Sequence, residues 1–209
     1  GLGSPTLTAI STLPSTGFKG TAAQVTLGFD NITALQGTGV VSGIVVGATF
    51  DLTANTYTLG ANTLSYTGYG ADGGGFATAT GSGGVYDNFL TTKGSFTYNS
   101  AAVTGFANIL DTGAATVDMT GAGVTGGLTG NVTTNGGTVT LAAGQNIDGN
   151  LNMNGAGTLN MGSAGRVGGS VNTATVSYAN YAAPVNFNAS NVSAGSTGIG
   201  TTYSGITTV

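Results

Sequence analysis

The chain has 209 residues, including 40 Gly, 37 Thr and 18 Asn, and its charged side chains are three Lys or Arg and seven Asp. It contains no Glu, His, Cys or Trp, which excludes imidazole and thiolate catalysis, disulfides and the usual His and Cys metal sites. Three cations offer a phosphate backbone almost no partners, so we expect no nucleic-acid binding. These absences predict a protein that is not an enzyme and uses no cofactor.

Charged residues make up 5% of the chain, against about 25% in a typical soluble domain. The abundant Gly, Thr, Ser and Asn are typical of secreted bacterial and archaeal surface proteins. The longest apolar stretch, residues 40–50, is far shorter than the roughly 20 residues of a membrane helix, so we expect no membrane-spanning segment. The first residues lack a basic segment, which favours an extracellular or cell-surface chain with its signal peptide removed.

Residues 1–19 are predicted to form an N-terminal arm. Within it, Thr6 to Leu13 is a candidate strand bracketed by Pro5 and Pro14. Prolines confine such a strand to a sheet edge or to an arm that leaves the body. An arm of this kind can complete a neighbour's sheet by β-strand addition, so the segment is a candidate donor strand.

Residues 20–110 show the alternation of apolar and polar residues that half-buried strands require. Val25, Leu27 and Phe29 alternate in this way, as do Phe96 and Tyr98. Strands spaced at roughly 8 to 14 residues favour antiparallel hairpins. We therefore predict an all-β fold in which this region is an antiparallel β-sandwich or barrel-like N-terminal half.

Residues 111–180 contain a degenerate repeat. One pattern occurs at Thr116-Val117-Asp118-Met119, Thr138-Val139-Thr140-Leu141 and Thr158-Leu159-Asn160-Met161, with spacings of 22 and then 20 residues. A second, glycine-containing strand is predicted after each motif, at residues 124–128, 147–151 and 167–171.

A unit of about 20 residues cannot bury its apolar face alone, so copies must stack, as in a β-solenoid. The apolar residues of the motifs would form two inward columns, Val117, Val139 and Leu159 in one and Met119, Leu141 and Met161 in the other. Their threonines would form an outward hydroxyl ladder. The alternative is three similarly spaced hairpins of a sandwich or barrel. We predict a short β-solenoid-like C-terminal half over residues 111–180 and a C-terminal β segment over residues 181–209.

The motifs Ile147-Asp148-Gly149-Asn150-Leu151 and Val167-Gly168-Gly169-Ser170-Val171 carry a family resemblance. Together with the rest of residues 116–172, they resemble the coils of β-helical surface proteins such as autotransporter passengers and filamentous adhesins. The pattern is also similar to that of bactofilins, which are cytoplasmic and charged. Gly94-Ser95-Phe96 and residues 101–105 resemble the β-barrel of transferrin-binding-type surface lipoproteins. These resemblances imply a surface protein, and no functional residue is carried over from them.

Several side chains are candidates for modification or binding. Asp72, in Gly70-Ala71-Asp72, is similar to the Gly-x-Asp core of calcium-binding β-roll repeats, and a structural loop is the alternative. Lys19 and Lys93 are candidates for a Lys–Asn isopeptide bond, with solvated lysines as the alternative. Four Asn-x-Ser/Thr sequons make N-glycosylation candidates of Asn31, Asn131, Asn188 and Asn191. The threonine ladder also suggests ice binding, although only Thr138-Val139-Thr140 has the Thr-x-Thr form.

Two functions follow as expectations. The first is a secreted structural protein whose partner is itself, assembled into an extracellular filament, sheath or surface layer through β-strand contacts. The second is a cell-surface adhesin or passenger domain that binds glycans as a monomer. Sugar rings stack on aromatic faces, so its candidate binding residues are Tyr66, Tyr69, Tyr178 and Tyr181.

Overall fold

The computed structural model describes residues 6–7, 10–12, 18–22, 25–43, 45–90, 92–120, 126–188 and 196–209, with side chains for Phe18 and from Ile32 onward. These residues form strands, turns and bends but no helix. The predicted all-β character is therefore confirmed. Most strand pairs of the largest sheet are parallel.

The strands of the first half are β1 (Thr6–Leu7), β2 (Ile10–Thr12), β3 (Phe18–Ala22), β4 (Val25–Ile32), β5 (Ala34–Ser42), β6 (Thr49–Asp51), β7 (Thr56–Leu59), β8 (Asn62–Gly81), β9 (Val85–Asp87), β10 (Phe96–Tyr98) and β11 (Ala101–Asp111). Those of the second half are β12 (Ala115–Met119), β13 (Gly127–Leu128), β14 (Val132–Thr133), β15 (Gly137–Leu141), β16 (Asn146–Ile147), β17 (Leu151–Asn152), β18 (Thr158–Gly162), β19 (Arg166–Val167), β20 (Val171–Asn172), β21 (Thr175–Asn180) and β22 (Tyr203–Ser204).

Strands at equivalent positions along the chain pair in parallel and form columns. We call the stretch of chain from one strand of a column to the next a coil. Column 1 consists of β9, β12, β15, β18 and β21. Its buried residues stand in register from coil to coil, in the order Tyr86, Val117, Val139, Leu159 and Val176. The predicted inward stacking of the three repeat motifs is thus confirmed, and it extends by one coil in each direction.

Column 2 runs from residue 49 to residue 204. It begins at β6, continues through the ends of β8 and β11, and passes through β14, β17 and β20 to β22. The inward residues of these coils are all buried and are, in order, Phe50, Ala79, Ile109, Val132, Leu151, Val171 and Tyr203. This column crosses residue 110, the boundary predicted between the two halves.

Column 3 consists of β13, β16 and β19, with Ile199 bridged to Val167. A corner separates it from column 2, so the strands predicted at 147–151 and 167–171 are each two short strands. Three hydrogen bonds of 2.8 Å define this corner: Asn131 N to Asn108 Oδ1, Asn150 N to Asn131 Oδ1 and Ser170 N to Asn150 Oδ1. A Cβ on Gly149 would lie 2.4 Å from Asn131 Oδ1, and therefore the corner requires glycine there.

The first half differs from the antiparallel arrangement predicted for residues 20–110. Its longest strands, β5, β8 and β11, pair in parallel, with Val41 opposite Ala71 and Ala71 opposite Val103. Antiparallel pairing is found in β6–β7–β8, in β9–β10–β11 and in the separate sheet β2–β3–β4. The hairpins inserted between the long strands produce the short strand spacing that suggested a sandwich.

Aromatic rings fill the core of the first half. Phe50 contacts Tyr57 with ring centroids 4.8 Å apart and meets Phe106 edge-on at 5.3 Å. Phe18 lies 5.2 Å from Tyr57, and so the small sheet covers this end of the core. Rings in edge and tilted contact add about 0.5–1.5 kcal/mol per pair beyond their buried area, so these contacts contribute to the stability of the first half.

Candidate functional site

The last strand of column 1, β21, lies at an edge of the large sheet. One side of it pairs with β18. On the other side, within the described residues, Thr208 bridges Thr175 and accepts a hydrogen bond of 3.0 Å from Val176 N. No charged residue occurs in β21, although charge is a common protection of sheet edges. Thr207 N and Thr208 N also donate to Ala174 O, so this chain's own residues cover the start of the strand. The rest of this edge, residues 177–180, is the part suited to pairing with another chain.

An open groove of about 490 Å³ follows this edge, lined by residues 175–179, Val185, Thr208 and Val209. We call it the edge groove. Val185 and Val209 are 38% and 59% exposed, and Tyr178 is half-buried beside them. The groove thus combines an apolar lining with the backbone of an edge strand, which are the two parts of a strand-binding site.

An aromatic cluster covers the interior of the same coil. The ring of Tyr178 meets Tyr181 at 5.7 Å and Phe187 at 6.5 Å, and Phe187 lies 4.9 Å from Tyr203, the last inward residue of column 2. The Tyr178 hydroxyl donates to Thr197 O at 2.8 Å. Burial, together with nearby Tyr181, raises the pKa of Tyr178 to about 12. A partner chain would therefore contact the edge groove, because the core beside the groove is already covered by aromatic residues of this chain.

The outer face of column 1 carries the predicted hydroxyl ladder. Thr116, Thr138 and Thr158 stand in register, and the ladder continues to Thr175 and Thr208. Neighbouring strands lie about 4.7–4.9 Å apart, so the hydroxyls repeat at that distance. The next outward row consists of Asp118, Thr140, Asn160 and Ser177. Because this row mixes four side-chain types, the face lacks the regular Thr-x-Thr array on which the ice-binding expectation depended.

Asp111 is a buried carboxylate that sequence reasoning did not single out. It is 1% exposed, and four donors surround it: Gly83 N at 2.5 Å, Gly113 N at 2.8 Å, Gly84 N at 3.2 Å and Tyr86 Oη at 2.9 Å. Burial, followed by the nearby negative charge of Asp111, raises the pKa of Tyr86 above its ordinary value. Each donor approaches from a loop or a neighbouring strand, so the carboxylate joins the end of β11 to the loop before β9.

Asp72, the calcium candidate, is tied to its own surroundings. One carboxylate oxygen accepts from Gly74 N at 2.9 Å, and the other accepts from Ser42 Oγ at 3.3 Å. Within the part of the chain that the structure describes, no three His, Cys, Asp or Glu residues are grouped closely enough to hold a metal ion. Asp72 lies within β8, just before a shift in the register of β8 with β11, and its carboxylate joins this irregular part of the strand to the adjacent strand β5.

The glycosylation candidates lie in different surroundings. Asn131 is exposed, but its Oδ1 accepts the hydrogen bond from Asn150 N at the corner between columns 3 and 2. Asn188 lies near the aromatic cluster, and its backbone N donates to Ser196 Oγ at 3.3 Å. Asn31 is in β4, where the backbone alone is described, and Asn191 lies outside the described residues. Asn131 is therefore the candidate whose side-chain environment is clearest.

The lysine and tyrosine candidates differ in their surroundings. Lys93 Nζ forms an ion pair with Asp148 Oδ2, with the two side chains 34% and 45% exposed. The side chain of Lys19 lies outside the described part of the structure. Tyr66 is only 3% exposed, so its ring is not available for sugar stacking, while Tyr69 is half-buried.

Comparisons with known proteins add no family to this picture. Across the described residues, no helix is long and apolar enough to cross a membrane. The scan against protein-family models and the searches of curated proteins and of solved structures each gave no match.

Proposed function

We propose that the protein is a secreted structural subunit that self-assembles into an extracellular filament, sheath or surface layer through β-strand contacts. The observation that carries the proposal is the uncharged edge of β21 beside the open edge groove. Unpaired backbone groups of an edge strand pair readily with another strand, and lysines commonly prevent this. The three cations of the chain, Lys19, Lys93 and Arg166, all lie outside β21.

The proposal includes a single β-solenoid built from columns 1, 2 and 3 in place of two separate halves. Its support is column 2, in which parallel register continues from Phe50 to Tyr203. In stacked repeats each coil contacts only its neighbours. A strand added at β21 would therefore continue an interface that the chain already uses between its own coils.

Electron microscopy and light scattering test the proposal directly. Purified full-length protein is examined by negative stain over a concentration series, with its mass followed in solution. We expect filaments or sheets, and a fibre-diffraction spacing of about 4.7–4.9 Å along the stacking direction. Discrete particles of monomer mass at every concentration would contradict self-assembly.

A glycan-binding adhesin is the second candidate, and it has less support. Of its proposed sugar-stacking residues, Tyr66 is buried, and Tyr178 and Tyr181 contact each other in the aromatic cluster. Saturable binding on a glycan array by protein that stays monomeric would favour this function over assembly.

A further inference from the structure

We propose that the edge groove accepts the N-terminal segment Thr6 to Leu13 of a second copy of this chain, in parallel with column 1. The inference rests on the proposed self-assembly and names the two surfaces that meet. Its first support is the sequence of the segment. Thr6-Leu7-Thr8-Ala9 repeats the order Thr, apolar, polar, apolar of Thr138-Val139-Thr140-Leu141, which forms a coil of column 1.

The second support is the behaviour of the segment in its own chain. There β1 pairs in parallel with β5, with Thr6 opposite Val40 and Leu7 opposite Val41. Residues 10–12 pair antiparallel with β3 instead, and residues 8, 9 and 13 lie outside the described part of the chain. Donation to a second copy therefore requires the segment to leave β5 and β3, as in a strand swap between subunits. Pro5 and Pro14 bracket the segment, and proline cannot donate to a sheet ladder, which limits the added strand to the residues between them.

The third support is the chemistry of the acceptor. Thr208 and Val209 begin the coil after β21, and Val209 and Val185 remain exposed beside them. An incoming strand that extends column 1 would cover both valines with its apolar residues. Neither the segment from Thr6 to Leu13 nor β21 carries a charge, so nothing repels the two strands.

The test uses the full-length protein and a fluorescent peptide of residues 6–13 with two lysines added for solubility. Binding is measured by anisotropy. We expect saturable binding that Val185→Asp and Val209→Asp each weaken about tenfold or more, because each removes apolar contact and buries a charge. Val46→Asp is the matched control, since Val46 is 76% exposed and lies outside the groove. A peptide carrying Leu7→Asp should bind the wild-type protein as weakly as the unsubstituted peptide binds the groove variants.

Assembly of a variant lacking residues 1–14 separates this inference from the proposed function. Loss of polymers in the variant, inhibition of full-length polymerisation by the free peptide, and groove-dependent peptide binding support the inference. Polymers from both chains, with no peptide binding, overturn the donor segment but leave self-assembly standing. Absence of polymers from the full-length chain contradicts self-assembly, and peptide binding unaffected by both groove variants overturns the acceptor site. Circular dichroism checks that each variant is folded.

Discussion

Replacing Asp111 by alanine is expected to destabilise the protein more than loss of any other carboxylate whose side chain the structure describes. The side chain is 1% exposed, and three glycine N–H groups and the Tyr86 hydroxyl donate to it. In Asp111→Ala all four donors lose their acceptor. Gly84 N and the Tyr86 hydroxyl are buried, so water does not replace the carboxylate there, whereas Gly83 is exposed and Gly113 half-buried, and their N–H groups can turn to water.

The expected loss of stability follows from the hydrogen-bond donors that lose their acceptor. A buried donor left without a partner costs about 1–3 kcal/mol. Two of the four donors, Gly84 N and Tyr86 Oη, are buried, and they share one carboxylate, so their losses do not add fully. We expect about 3 kcal/mol for Asp111→Ala and about half of that for Asp111→Asn, whose amide oxygen still accepts two hydrogen bonds.

Equilibrium urea unfolding, followed by tyrosine fluorescence and circular dichroism under monomeric conditions, measures both variants. Asp118→Ala is the matched control, because Asp118 accepts a single exposed hydrogen bond of 2.9 Å from Thr120 N. We expect the control to lower the free energy of unfolding by less than about 1 kcal/mol. Equal effects of Asp111→Ala and the control would refute the network described around the buried carboxylate.

Three further outcomes test the packing and the charges. Gly149→Ala should cost about 1–3 kcal/mol in urea unfolding, since its Cβ would meet backbone and side-chain oxygens of the preceding coil; the same change at Gly70, where a Cβ has only ordinary contacts, should be close to neutral. The Tyr57 hydroxyl is buried without a hydrogen-bond partner among the described residues, so Tyr57→Phe should stabilise the fold by about 1 kcal/mol at neutral pH. Burial also raises the pKa of Tyr57 from 10.0 to about 12. The unfolded chain therefore releases this proton near pH 10 and the folded chain only near pH 12, so the stability of the wild type falls as the pH rises from 10 towards 12. The phenylalanine variant lacks this loss, and pH-dependent unfolding should show it to be less base-sensitive. Lys93→Ala breaks the exposed ion pair with Asp148 and should change the free energy of unfolding by less than about 1 kcal/mol, measured by thermal melting. A larger loss of stability would contradict the small contribution expected of an exposed ion pair.

The stacking register of the repeat motifs was the part of the fold that could be predicted from the sequence. Val117, Val139 and Leu159 occupy the same position of one motif, and burial of alternate residues leaves a single way to stack them. The structure places them opposite one another. The corner between columns 3 and 2 was missed because Gly149 and Asn150 read as an ordinary interruption of a strand, whereas their role depends on an asparagine one coil earlier.

The parallel direction of the long strands in the first half could not be predicted from the sequence, for a related reason. Val41, Ala71 and Val103 stand opposite one another although they lie 30 and 32 residues apart. They share no motif, and the hairpins inserted between them suggest antiparallel neighbours instead. Asp111 was missed as well, because its partners are mainly backbone N–H groups, which leave no side-chain pattern to recognise. The edge groove depends on residues as distant as Val185 and Val209, which only the folded chain brings together.

The aromatic cluster on the last coil has a consequence for how the protein opens. In the single β-solenoid that we propose, each coil contacts only its neighbours, so unfolding should start at an end and proceed one coil at a time. The Phe187 ring packs on Tyr203 at one end, and the aromatic core around Phe50 lies at the other. Amide hydrogen exchange should therefore be slowest in the central coils around Val139 and fastest at β22. Opening of the last coil requires loss of the contact between Phe187 and Tyr203.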